Sequence, residues 1–226
     1  MASAKALRVL MILGLALGLG ASAAAQVTGK LLLGAYKPEM PVATSAAFNW
    51  ELENGFKEVL PDRLDVPREL AVVLLAEGPA TALERVEIPI SGGSLMPSTL
   101  VVRAGATVIF RNDDEIAHEI FAEGLDIFVA EAISPRGRRS LVFAASGHWP
   151  VRDRLLPHVD GHLHVLPNLV AIAAVATDGQ YTFTNLTPGK YVLKVFHGAG
   201  ELVSQSIELT TRGLTVDPLT LAPKGP

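Results

Sequence analysis

The chain has 226 residues, enough for one large or two small domains with hydrophobic cores of their own. It contains no cysteine, which excludes disulfides, thiolate metal sites, thiol nucleophiles and redox dithiols. A formal charge of −4 with both signs interspersed lacks the basic footprint that nucleic acid or an anionic membrane surface requires.

Residues 1–25 read as a secretory signal peptide. Lys5 and Arg8 form a basic n-region, an apolar run follows at 9–19, and the small residues Ala21-Ser22-Ala23-Ala24-Ala25 suit a cleavage site with Gln26 as the first mature residue. The apolar run is shorter than the ~20 residues that span a bilayer. Losing Lys5 and Arg8 takes the formal charge from −4 to −6. No later stretch is long and apolar enough to span, so the expectation is a periplasmic or secreted protein with no membrane span after cleavage.

Strand-like runs then alternate with turn signals about every ten residues, the pattern of a sandwich or barrel. Residues 27–33 (VTGKLLL) open the series. Residues 37–68 hold prolines and a polar centre and predict a long connection, with a short helix as one option. The continuous apolar run at 70–75 (LAVVLL) suits a buried strand. From Arg85 the alternation sharpens: strands at 86–90, 99–103, 107–111, 118–121 and 139–144, with turns at Gly92-Gly93, Ala104-Gly105 and 134–137. Residues 147–161 are expected to be a loop and 162–166 (HLHVL) a strand. The last third predicts a hairpin from 169–176 and 180–184 around Asp178-Gly179, then strands at 191–196 and 203–209. The fold class is all-β.

Two resemblances follow from these segments. Residues 95–114 (LMPSTLVVRAGATVIFRNDD) with Ala117-His118-Glu119-Ile120, and then Phe143-Ala144-Ala145-Ser146-Gly147 with Gly161-His162-Leu163-His164-Val165, resemble a cupredoxin of the plastocyanin-like, methylamine-utilisation type. Residues 177–195 (TDGQYTFTNLTPGKYVLKV) resemble the carboxypeptidase regulatory-like, or transthyretin-like, sandwich, whose opening strands resemble 27–31 and 71–75. Together they imply a cupredoxin-like Greek-key barrel at 83–166, inserted in or packed on a small discontinuous β-sandwich made of 26–82 plus 167–226. Proteins of the resembled kind are non-enzymatic.

The resemblance also implies a copper site, and here the sequence departs from it. A blue-copper centre takes a thiolate, two imidazoles and a weak axial thioether. His118 stands at the position of the first imidazole. Residues 151–161, laid on the resembled ligand loop, put Asp153 at the thiolate position, Leu156 at the second imidazole and Val159 at the thioether. The implied reading is an exported, non-catalytic binding or scaffold protein with a degenerate copper site, no cofactor, and another envelope or secreted protein as partner.

Four imidazoles support the alternative of a metal-handling protein: His118, His158, His162 and His164. His162 and His164 lie two apart on a strand and share a face, with Leu163 and Val165 towards the core. Imidazole with an oxygen ligand from Asp153 or Asp160 would suit copper or zinc. The competing reading makes His162 and His164 ordinary polar residues of a half-buried strand, placed where the two modules meet, and His118 a hydrogen-bonded remnant. No Ser/His/Asp order, glycine-rich phosphate loop or pair of catalytic carboxylates points to an enzyme. Asp113, Asp114 and Glu115 are consecutive, cannot all face one cleft, and read as a turn. Arg136, Arg138 and Arg139 read as a solvated turn.

Overall fold

A computed structural model describes residues 24–34, 69–78 and 85–221. Most of the leader and the connection at 37–68 lie outside the described residues. Among those described, every regular element is a strand. β1 (Ala25–Leu32) and β2 (Ala71–Ala76) come first. The stretch 85–166 supplies β3 (Arg85–Ser91), β4 (Ser94–Leu95), β5 (Thr99–Arg103), β6 (Thr107–Asn112), β7 (Ile120–Ala122), β8 (Arg138–Val142), β9 (Gly147–Asp153) and β10 (Asp160–Leu166). After it come β11 (Leu169–Ala173), β12 (Gln180–Leu186), β13 (Gly189–His197), β14 (Gly200–Leu209), β15 (Leu214–Thr215) and β16 (Leu219–Thr220).

The strands form four open sheets: β12-β1-β15 with β16 also on β1, β11-β2-β13-β14, β5-β10-β9-β7, and β4-β3-β6-β8. The first two enclose one core, built around Val27, Leu31, Val72, Leu74, Leu193 and Val195. The last two enclose a second, around Leu100, Phe110, Phe128, Phe143, Leu163 and Val165. We refer to these bodies as the flanking and central sandwiches. The chain enters the flanking sandwich through β1 and β2, builds the central one, and returns.

A third, smaller cluster joins them. Ala71 and Val73 of β2, Leu169 and Phe196 pack on Val101 of β5. Alternate residues of β2 therefore face different apolar layers: Val72 and Leu74 the flanking core, Ala71 and Val73 the junction. In β5, Leu100 and Val102 face the central core while Val101 faces the junction. A strand buried on both faces reads as a continuous apolar run rather than an alternating one, which is what LAVVLL and TLVVR show. The result is four layers in series. Polar contacts cross the junction too: Arg103 Nε donates to the Leu169 carbonyl at 2.6 Å, and the Gly198 N–H donates to Thr99 Oγ1 at 2.9 Å.

Local chemistry explains several details. Gly92 and Gly93, at φ 61° and 69°, form the two-residue loop between the paired Ser91 and Ser94. Positive φ at both positions is the requirement of a type I′ hairpin turn. Gly29 lies opposite Tyr181, and a Cβ there would sit 2.2 Å from the Tyr181 hydroxyl, so the ring occupies the space that a side chain would fill. Ala25, opposite Leu186 and buried, already belongs to β1. The boundary between Ala25 and Gln26 thus falls inside a core strand.

Three expectations need correction. Residues 147–153 form a strand and not the start of a loop. Pro150 argued against that, since proline has no N–H for a ladder. It is tolerated because the Pro150 carbonyl accepts the Glu123 N–H at 2.9 Å, which turns that edge of the residue towards β7, beyond its last strand residue, Ala122. Residues 169–184 do not form a simple hairpin either. After a single bridge between Val175 and Tyr181 the two arms diverge, β11 to β2 and β12 to β1, in opposite sheets. His118 lies outside β7 and makes only an isolated bridge with Ile133. The short strands β15 and β16, parallel to β1, carry no periodic signal that would have announced them.

Candidate functional site

His118 is fully buried at one end of the central sandwich. Its Nδ1 lies 2.6 Å from Asp153 Oδ2, and its Nε2 lies 3.1 Å from Asp114 Oδ2. Both ring nitrogens face carboxylate oxygens, so bonding to both requires a proton on each.

Each carboxylate is fixed by backbone donors. Asp114 accepts the N–H groups of Gly92 at 2.7 Å and Gly93 at 2.9 Å, the two consecutive left-handed residues of the β3–β4 turn. Successive N–H groups in such a turn make a small anion-binding nest. Asp153, at the end of β9, accepts N–H groups from Leu155 at 2.8 Å, Glu119 at 3.2 Å and Leu156 at 3.3 Å. Asn112 ties the loop between β6 and His118. Its Nδ2 donates to the carbonyls of Ile116 and Ile133, and its Oδ1 accepts the Asp114 N–H. The three consecutive acids point three ways, as a turn requires: Asp113 pairs with Arg111, Glu115 with Arg136, and Asp114 with His118.

These bonds shift both acids. The Gly93 N–H holds the Asp114 carboxyl below the usual carboxylate range, burial opposes it, and the Gly92 N–H and His118 add to the lowering. Burial pushes Asp153 upward, but His118 and the three backbone donors outweigh it and leave the carboxyl lowered. Two ionised carboxylates thus flank one imidazole in a dry site.

The residues do not fit a type 1 copper ion. The chain has no thiolate to offer. Asp153, which the resemblance puts in the thiolate position, bonds directly to His118 Nδ1 at 2.6 Å and leaves no space for an ion between them. Leu156 and Val159 pack into the central core and present no donor atom.

The four imidazoles singled out from the sequence do not converge. His118 is enclosed by the two aspartates. His158 is exposed, with its Nε2 3.0 Å from where a Gly93 Cβ would be. His162 and His164 do share the outer face of β10, with Leu163 and Val165 in the core on the other side. They are joined by His148 of β9, which the loop reading of 147–161 had set aside. The His148 ring stacks on His162 at 5.2 Å and on His164 at 4.6 Å. His164 is nearly buried, lies 4.5 Å from the Phe196 ring, and donates from Nε2 to the Gly198 carbonyl at 2.7 Å. Burial, reinforced by the neighbouring imidazoles and opposed by the Gly198 carbonyl, pushes His164 down to about 4. It is therefore a neutral packing residue at the junction rather than an outward polar one. Among the described residues no three of His, Asp and Glu are arranged as a ready metal site.

Arg139 is likewise not a solvated turn residue. Its guanidinium lies 5.2 Å from the Phe128 ring centroid and donates to the carbonyls of Ile120 and Val129. Arg136 and Arg138 are exposed. A shallow depression of about 410 Å³ beside β7, lined by Phe121, Asp126 and Val129 among others, brings no set of reactive groups together.

No protein-family model matches the chain, and no curated protein matches it. Solved structures do. The copper-containing nitrite reductase of Thermus scotoductus SA-01 is 24% identical over 40% of this chain and 25% of its own, with a TM-score of 0.34. A purple cupredoxin from Nitrosopumilus maritimus is 22% identical over 35% of this chain and 98% of its own, at 0.31. Amicyanin from Paracoccus versutus is 18% identical over 42% of this chain and 96% of its own, at 0.33. The solved structures to which this all-β chain is similar are thus cupredoxins, each matched over less than half of its length.

Proposed function

We propose that this chain is an exported, non-catalytic binding or scaffold protein, in which a cupredoxin-like body has exchanged its type 1 copper site for a proton-bridged Asp114–His118–Asp153 cluster. The observation that carries this reading is the 2.6 Å contact between Asp153 and His118 Nδ1, in a site with no thiolate. The aspartate performs structurally what a metal ion would: it ties the end of β9 to the loop before β7. The cluster is closed to solvent, with the His118 and Asp153 side chains both 0% exposed, so it is suited to holding structure and not to turnover or outer-sphere electron exchange.

The diamagnetic ion Zn(II) tests this directly. One equivalent added to the folded protein is expected to leave the ring ¹⁵N resonances of His118 unmoved. A stoichiometric shift of those resonances, or a reversible one-electron couple in protein voltammetry after loading with copper, would sink the reading.

In this proposal the flanking sandwich, with its carboxypeptidase regulatory-like segment at 177–195, serves as a contact module for another envelope or secreted protein. Export is supported by the basic start, the apolar run and the small residues after it. The buried Ala25 favours processing after Ala23, behind an Ala-Ser-Ala motif, which keeps β1 whole. The mass of the exported polypeptide reads this. A start at Gln26 contradicts it.

A further inference from the structure

The outer face of β9 and β10 carries a pair of imidazoles that neither the aspartate cluster nor the resembled copper site uses. His148 Nε2 lies 3.0 Å from His162 Nδ1, and the two rings are nearly parallel at 17°. His148 is exposed and His162 is partly so, which leaves the gap between them open to solvent.

The other nitrogen of His162, Nε2, has the Asp160 carboxylate at 3.7 Å, and Asp160 is itself paired with Arg152. A carboxylate behind the distal nitrogen is the usual way a metal-binding imidazole is oriented, because it keeps the proton there and leaves the other lone pair free. Here that free lone pair is Nδ1, on the side of His148. The turn after β13 roofs the pair: a Cβ at Gly198 would touch the His162 ring at 3.5 Å.

The separation of the two nitrogens carries the argument. Imidazole nitrogens bind first-row metals at about 2.0–2.1 Å. Two such ligands at a right angle stand about 2.9 Å apart, and at the tetrahedral angle about 3.3 Å apart. The observed 3.0 Å is nearer to the right angle, the geometry of tetragonal Cu(II), which also stands highest in affinity among the divalent first-row ions. Without metal, one N–H···N bond holds the rings together. On binding, the proton of that bond moves through solvent to the distal nitrogen of its own ring, so the pair coordinates as two neutral imidazoles. Burial lowers both His148 and His162 below the usual imidazole range, which keeps them neutral at pH 7.

We propose that His148 and His162 form a cross-strand bis-imidazole site for a divalent transition-metal ion, Cu(II) ahead of Zn(II), with Asp160 positioning His162 and water completing the shell. This site is separate from the His118 cluster and does not depend on how that cluster is read.

Titration of the full chain as exported with Cu(II), in a competing glycine buffer, tests it. Trp149 adjoins His148 in β9 and supplies a fluorescence signal that Cu(II) quenches. The expected result is one equivalent bound, an electron paramagnetic resonance spectrum with nitrogen couplings from two imidazoles, and at least a tenfold loss of affinity in His148→Ala. Asp160→Asn is expected to weaken binding by about tenfold. His158→Ala, at an exposed position elsewhere, is expected to bind like the wild type. His148 is exposed and leaves the cores untouched, so its replacement preserves the fold, and circular dichroism checks this. Failure to bind Cu(II), equal affinity in His148→Ala, or loss in His158→Ala instead would each overturn the proposal. Failure of the His118 reading has a different signature, a metal-dependent shift at His118 itself.

Discussion

Replacement of Asp153 by alanine is expected to lower the stability of the protein by about 3–5 kcal/mol, the range for removing one partner of a buried charged pair. Asp153 closes four contacts at once: His118 Nδ1 and the N–H groups of Leu155, Glu119 and Leu156. Alanine leaves them without that acceptor in a site that water does not reach, beside a second carboxylate on the far side of the ring. Asp153→Asn is expected to fall between alanine and the wild type. Its amide oxygen can still accept the backbone N–H groups, but its NH₂ then faces His118 Nδ1, which has to give up its proton. Urea unfolding at pH 7 measures both. A loss below about 1 kcal/mol for alanine, the level of an exposed ion pair, would mean that the cluster is not the tie described here.

The same cluster makes stability depend on acid in a defined direction. Asp114 and Asp153 both have carboxyls lowered in the folded state. A lowered acid contributes stability that is fully present above its unfolded value, about 3.9, and is lost as pH falls through the folded value. Unfolding midpoints are therefore expected to stay level with respect to these two groups above pH ~5 and to fall below pH ~4. In Asp153→Ala the fall is expected to be shallower, because one of the two contributing carboxylates has gone. An equally steep fall would assign the acid sensitivity to other groups.

Phe196→Ala is expected to have an effect of similar size but of a different kind. Phe196 is 4% exposed and packs with Ala71, Val73, Val101 and Leu169 where the two sandwiches meet, against the His164 ring. Truncation of a buried phenylalanine costs about 3–5 kcal/mol. Each sandwich has its own larger core, so the loss falls on the coupling between them. The wild type is expected to unfold in one calorimetric transition, and Phe196→Ala in two. The remaining ties, Arg103 to the Leu169 carbonyl and His164 to the Gly198 carbonyl, are too few to hold the bodies as one cooperative unit. One undivided transition in the variant would show that the sandwiches are coupled mainly by something other than this cluster.

Much of the architecture is legible in the residues. Alternation located most of the strands of the central sandwich, and Thr99–Arg103 coincides with the expected segment. The unbroken apolar runs of β2 and β5 announced strands covered on both faces, and Gly92-Gly93 announced a tight turn. These are local properties: side-chain period, β-propensity and permitted φ depend on neighbours in sequence. For the same reason the sequence alone identified His118 as the imidazole that survives and Asp153 as the residue in the place of the thiolate.

What the sequence could not supply is which strand lies against which. Arms that look like one hairpin at 169–184 belong to opposite sheets, because each gains more by pairing with β2 or β1 than with its neighbour. Pro150 concealed β9, and with it the placement of His148 beside His162. The contact between Asp153 and His118 spans 35 residues, and that between Gly198 and Thr99 spans 99. Composition and period determine that this chain is all-β, free of thiol chemistry and stripped of most copper ligands. Only the tertiary structure decided that an aspartate takes up the histidine left behind and that a new pair of imidazoles meets on the outer face. Strand register is set by the packing free energy of the whole chain, and no local window contains it.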